Sequence, residues 1–289
     1  MASMRDIKRR RSSIQSTGQI TKAMKLVSTV KLQRTKHAAL NSKSYFEYMY
    51  RTVNSMLAKA GTINHPFVTG NGSDKKAVVM ITGNRGLAGG YNSNVVKLVT
   101  RSELKKEEMI IYPMGKKGRD AMLRHGYKLA DDYSTMIDAP EYVDAMRLCS
   151  VLLSAYKAGE IGEIYLAYTN FKNTVVHEPK LMKLLPVEKA EAIEGPVDEE
   201  AGPDAPMNFE PEEEEALDMI IPKYVTSIIY GGMIESVASE NGARMQAMDN
   251  ATTNAEEMID KLTLQYNRAR QGSITQELTE IIAGSQAQD

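Results

Sequence analysis

The stretch best equipped for chemistry is ITGNRGLAGGYN, Ile81 to Asn92. A glycine-rich turn between an apolar run and a helical pattern is where nucleotide phosphates are often cradled. The spacing matches neither fingerprint. The dinucleotide motif needs G-x-G-x-x-G, and the glycines here stand at 83, 86, 89 and 90. A phosphate-binding P-loop needs glycine, then lysine, then a hydroxyl residue; in MGKKG, Lys117 occupies the hydroxyl position. The turn therefore reads as a tight strand-to-helix connection. His37, His65, His125 and His177 are scattered without ligand spacing, so no metal site is expected. Cys149 is the lone cysteine, which excludes an internal disulfide. No serine sits in a nucleophile elbow. No carboxylate pair stands out beyond one solvated acidic stretch. The chain is expected to be no enzyme by itself and to need no cofactor.

Charge is more informative. The net charge of −1 hides an asymmetry. Residues 1–43 hold eleven Lys or Arg and a single acid, Asp6, whereas residues 188–218 hold thirteen acids and one lysine. The acidic stretch has no apolar face and reads as a solvated linker. The basic arm has three readings on composition alone: a nucleic-acid-binding arm on a coiled coil, a mitochondrial transit peptide, or a shaft whose positive surface faces acidic partner subunits. No apolar run approaches the roughly 18 residues that a membrane span requires. Direct membrane insertion is not expected, and any link to a membrane must run through a partner.

The elements that must position these residues follow from proline and periodicity. All ten prolines lie between Pro66 and Pro222. Proline breaks helix interiors, so the two proline-free arms predict long terminal helices. Met245, Met248, Thr252, Ala255, Ile259, Leu262, Tyr266 and Ala269 alternate spacings of three and four, a heptad seam for a partner helix. Ile20, Ala23, Val27 and Val30 offer a matching seam on the first arm, with Tyr45, Met49 and Val53 further on. In the middle, KAVVMIT, MIIY and EIYLAYT read as buried strands. Helical patterns separate them at about 92–106, 116–125 and 141–157. Strand–helix alternation predicts an α/β domain with a mainly parallel sheet, closed by an antiparallel return in TVVHEPKLMKLLP. The expected organisation is an N-terminal helix over 1–65, an α/β domain over 75–186, the acidic linker over 187–218, and a C-terminal helix over 219–289. Near the chain end, Ile274, Leu278, Ile281 and Ile282 form an apolar stripe that needs a cover.

DIKRRRSSIQSTGQITKAMKLV at the start and ENGARMQAMDNATTNA with YNRARQGSITQELTEIIAG at the end resemble the γ subunits of F-type ATP synthases, bacterial type. NRGLAGGYN and GKKG in the middle are similar to the same family. The resemblance runs from about Asp6 to Gly284, in order. It decides against the transit-peptide reading, because family residues begin at Asp6. The chain departs from the family pattern at Arg11, usually apolar, at Ser16, usually Asn, and at Ser285, usually Ala. It also lacks the redox-regulatory cysteine insertion of chloroplast members.

The resemblance implies a fold and a function. The fold would be a long antiparallel coiled coil of the terminal helices plus a central Rossmann-like α/β domain. The coil would be the rotor shaft inside a hexamer of α and β subunits. The α/β domain would meet the ε subunit and the membrane ring of c subunits, at the cytoplasmic face of the bacterial plasma membrane. Ile274, Leu278, Ile281 and Ile282 would turn in an apolar sleeve, as an apical bearing. Gln271 and Thr275 share a helix face away from the seam. By resemblance they would, with Arg270 and Glu277, catch a loop of one β subunit at a time, and Met24 would stand near the β-subunit levers lower down.

Overall fold

The computed structural model describes residues 4–59, 65–187 and 213–286; the side chain of Tyr45 lies outside the described residues. Two compact units emerge, one of residues 30–243 and one of residues 1–29 with 244–289.

The larger unit is built on a five-stranded sheet in the order β3-β2-β1-β4-β5. The strands are β1 (Lys76–Ile81), β2 (Met109–Met114), β3 (Lys128–Leu129), β4 (Glu163–Phe171) and β5 (His177–Leu185). The first four run parallel, and β5 returns antiparallel to β4. β1 lies at the centre, where helices must cover both faces, and its residues from Ala77 to Ile81 are all buried. α3 (Tyr91–Thr100) and α4 (Lys116–Arg124) cover one face, closing a cluster of Val78, Met80, Val95, Val99, Ile111 and Met122. α5 (Tyr142–Lys157), the first half of α6 (Glu213–Gln286) and Val53 of α1 (Met4–Lys59) cover the other. α2 (Pro66–Thr69) is one turn, capped by His65, whose Nδ1 accepts from the Phe67 amide at 3.2 Å. The Tyr156 hydroxyl, on the buried face of α5, donates to the Pro66 carbonyl at 2.8 Å. Burial pushes its pKa up to about 12.

Several boundaries differ from the expected ones, and three of them have a clear local reason. β2 passes through Pro113 to Met114 instead of stopping at Tyr112. Its neighbour β3 pairs only with Ile110 and Ile111, so Pro113 has no ladder partner to disappoint on that side. α3 ends at Thr100 rather than near residue 106, where Thr100 and Ser102 turn their hydroxyls onto the carbonyls of Val96 and Val99. α6 begins at Glu213 and runs through Pro222. Proline removes one i→i−4 bond there, but Ile221 and Val225 beside it are wholly buried and hold the helix.

In the smaller unit, α1 and α6 pair antiparallel. The expected α6 seam is the observed one: Met248, Ala255 and Leu262 are buried, and Met245, Thr252, Ile259, Tyr266 and Ala269 half-buried. The α1 seam is not the expected one. Ile20, Val27 and Val30 are 60%, 59% and 62% exposed. α1 instead turns Ile7, Arg11, Ile14, Gly18, Thr21, Lys25 and Ser28 inward. The reason is close approach of small residues. A Cβ on Gly18 would touch that of Ala255 at 3.4 Å, and the Thr21 and Thr252 hydroxyls bond at 2.8 Å. Lys25 pairs with Asp249 at 2.6 Å, and the Arg11 guanidinium lies 5.7 Å over the Tyr266 ring. Polar pairs thus fix the register, and the larger apolar residues of α1 face outward.

Two outcomes are expected. Leu262→Asp buries an unpaired carboxylate and should cost roughly 3 kcal/mol or more, whereas Ile20→Asp should stay within about 0.5 kcal/mol. Thermal unfolding of the full chain checks this, and equal costs would refute the seam. The second concerns His177, whose Nε2 is buried without a partner and whose pKa burial lowers. Its neutral form is favoured by folding, so the stability it contributes is present above its ordinary pKa of about 6.5 and is lost as pH falls through the lower folded value. His177→Gln should therefore lose less thermal stability than the natural chain between pH 7 and pH 5.

Candidate functional site: a closed crevice and exposed helix surfaces

In open α/β sheets, ligands enter beyond the carboxyl ends of the strands, where the order reverses. Here that point lies between β1 and β4. The glycine-rich turn leaves β1 there and is tightly braced. The Gly83 amide donates to Asn92 Oδ1 at 2.8 Å, Asn92 donates to the Arg85 carbonyl at 3.2 Å, and Asn84 donates to the Ser134 carbonyl at 2.8 Å. GKKG serves the same brace. Gly115 has φ +131° and lies so close to Thr82 that no Cβ fits, and the Gly118 amide donates to Thr82 Oγ1 at 2.9 Å. Leu87 has φ +61°, unusual for a branched side chain, and is exposed.

The crevice is filled by the chain itself. The Glu240 carboxylate of α6 lies against Gly83, where a Cβ would stand 2.6 Å from Oε1. A fixed anion at this position opposes a phosphate. The Thr169 amide donates to Ser236 Oγ at 3.2 Å, and the Thr169 carbonyl accepts from Ser239 Oγ at 3.3 Å. Among the described residues, no cluster of three or more His, Cys, Asp or Glu could hold a metal ion. A cavity of about 580 Å³ lies beside His65 and Asn71, with Lys157 bonded to Asp218 at 2.9 Å in its wall. That bond is the main reason the Asp218 carboxyl sits below the usual range.

The sequence-derived contact residues lie on exposed helix. Arg270, Gln271, Thr275 and Glu277 are exposed on α6, and Met24 is half-buried on α1. The Thr275 hydroxyl donates to the Gln271 carbonyl one turn back at 2.9 Å, which leaves its oxygen lone pairs outward. Ile274, Leu278, Ile281 and Ile282 are exposed together, Ile281 at 68%. Sequence reasoning missed two sets. The outward apolar residues Ile20, Leu26 and Val27 were masked by their seam-like spacing. Ser236 and Ser239 lie outside the stretches that carry the resemblance, and their signal is small residues recurring in GGMIESVASENG; Glu240 opens one of those stretches, ENGARMQAMDNATTNA, but no role was read for it.

A family model described as ATP synthase matches residues 3–287. The ATP synthase gamma chain of Lachnoclostridium phytofermentans is 61% identical over 289 residues, spanning 99% of each chain. The gamma chain of Acetobacterium woodii, named as sodium ion specific, is 42% identical and spans 98% of each. The rotor of the Euglena gracilis mitochondrial ATP synthase, in rotational state 1, covers 94% of this chain and 98% of its own at 18% identity and a TM-score of 0.64. A chain from the central stalk and c-ring structure of the Tetrahymena thermophila enzyme covers 80% and 99%, at 22% identity and a TM-score of 0.56. These two likenesses speak for the fold alone. The nucleic-acid reading of the basic arm is not supported. With relatives matching from end to end, the chain belongs to the gamma chains of the ATP synthase family.

Proposed function

We propose that this chain is the central-stalk rotor of an ATP synthase, coupling ion flow through a membrane ring to ATP synthesis or hydrolysis in a hexamer of α and β subunits. The observation that carries the proposal is the end-to-end match to gamma chains at 61% identity. The physics follows from symmetry. Three chemically identical β sites surround a shaft of two helices, and two helices cannot present the same face to all three. Each site is biased to a different conformation by its differential contacts with the shaft. Turning the shaft exchanges the three states and converts torque into nucleotide affinity.

In this reading the exposed stripe from Ile274 to Ile282 is covered by an apolar sleeve at the top of the hexamer. Arg270, Gln271, Thr275 and Glu277 catch one β subunit at a time, and their exposure away from the seam supports that role. Met24 stands nearer the β levers. The sheet-bearing unit meets the ε subunit and the ring of c subunits. In the same reading the chain is held at the cytoplasmic face of a bacterial plasma membrane through its partners; none of the described helices is long and apolar enough to cross a membrane.

The test is reconstitution of ATP hydrolysis from this chain with α and β subunits. Each catch bond to a neutral group is worth on the order of 1 kcal/mol, so the double variant Gln271→Leu, Thr275→Val should lower turnover roughly 30-fold without unfolding the chain. Unchanged turnover in a fully assembled complex would remove the catch.

A further inference from the structure

β1 is shorter than its neighbour. Its pairing with β4 ends at Met80 and Ala167, while β4 continues to Phe171. Beyond that point the inner edge of β4 has no strand beside it, and a buried amide or carbonyl without a partner is costly. α6 supplies the partners. The hydroxyls of Ser236 and Ser239, one helical turn apart and both wholly buried, bond the amide and the carbonyl of Thr169. A helix here completes a strand ladder.

The contact is keyed sterically on both sides of that pair. A Cβ on Gly232 would stand 2.9 Å from Leu166 Cδ2, and one on Gly242 would stand 2.6 Å from His177 Nε2. Between them the Glu240 carboxylate fills the space over Gly83. The Phe171 amide reaches Glu235 Oε2 at 3.4 Å. Apolar packing resists separation but tolerates sliding and rolling, because dispersion has little direction. Hydrogen bonds are directional, and glycine-lined close approach leaves no slack. Rotating α6 about its axis by even one residue position would break both serine bonds and drive side chains into Leu166 and His177.

We propose that Ser236, Ser239 and the Glu240–Gly83 contact form the joint through which the sheet turns α6, so that torque received by the sheet enters the helix without slip. They are positioning residues for rotary coupling and touch neither nucleotide nor ion. The proposal rests on the rotor reading. That reading also separates its test from its own: the natural chain must first restore hydrolysis with α and β subunits, and its failure to do so would refute the rotor, not the joint.

The experiment uses the complete complex in sealed vesicles, with hydrolysis and ion pumping measured together. In Ser236→Ala, Ser239→Ala, hydrolysis by the detached soluble sector should match the natural complex, because an unloaded shaft needs no joint. ATP-driven pumping should stall at a smaller ion gradient, and ATP synthesis should fall. Ser236→Cys, Ser239→Cys keeps the volume and weak donors and should fall between. Gly83→Ala keeps both hydroxyls but displaces Glu240, and should show the same load-dependent loss if the double serine variant fails to assemble. A stall gradient equal to that of the natural complex in assembled variants would overturn the joint. So would equal losses of loaded and unloaded turnover, which mark a merely structural defect.

Discussion

One helix, α6, must satisfy two different neighbours along its length, and the rest of the structure follows from that constraint. From Leu217 to Asn241 it is buried on several sides, with Gly232, Ser236 and Ser239 admitting close approach of the sheet. From Met245 onward the fully buried residues are heptad positions, Met248, Ala255 and Leu262. A helix with a uniform amphipathic stripe could not do both. The two regimes explain why its apolar residues are dense first and periodic later.

The same constraint shapes the reversal point of the sheet. A sheet with parallel strands and a glycine-rich turn at its reversal point has the ingredients of a nucleotide site. α6 occupies that place, with a carboxylate against Gly83 and two hydroxyls on Thr169. The fold is kept and the crevice converted into an internal contact. In the second regime the pairing of α6 with α1 relies on small and polar residues: Gly18 with Ala255, Thr21 with Thr252, Lys25 with Asp249. Such a seam fixes register by hydrogen bonds and leaves apolar residues such as Ile20 and Val27 facing outward.

Strong periodicity made much of this legible in the sequence. β1, β2 and β4 were legible as short apolar runs, β5 as an antiparallel return, and the α6 seam because eight positions keep one rhythm; β3, only Lys128–Leu129, was too short to leave a pattern. The α1 seam was not, since Ile20, Ala23, Val27 and Val30 have the right spacing and the wrong face. Hydropathy ranks valine above threonine, whereas a close helix crossing favours Gly18 and Thr21. Pro113 misled for a related reason: proline stops a strand only where its missing donor is needed or its ring has no room. The proposed contact residues Gln271 and Thr275 were placed by resemblance together with helical phase. The contacts of Ser236, Ser239 and Glu240 were invisible because a long-range contact with Thr169 or Gly83 leaves no local pattern.

The central claim is that the chain turns. Cys149 is buried, and burial raises its thiol pKa, so a new cysteine at exposed Glu103 can be labelled selectively. With the β subunits of a reconstituted complex fixed to a surface and a bead attached at that cysteine, addition of ATP should drive stepwise rotation in one direction, with three pauses per turn. ATP hydrolysis that continues while the bead stays still, or turns without preferred direction, would contradict the account.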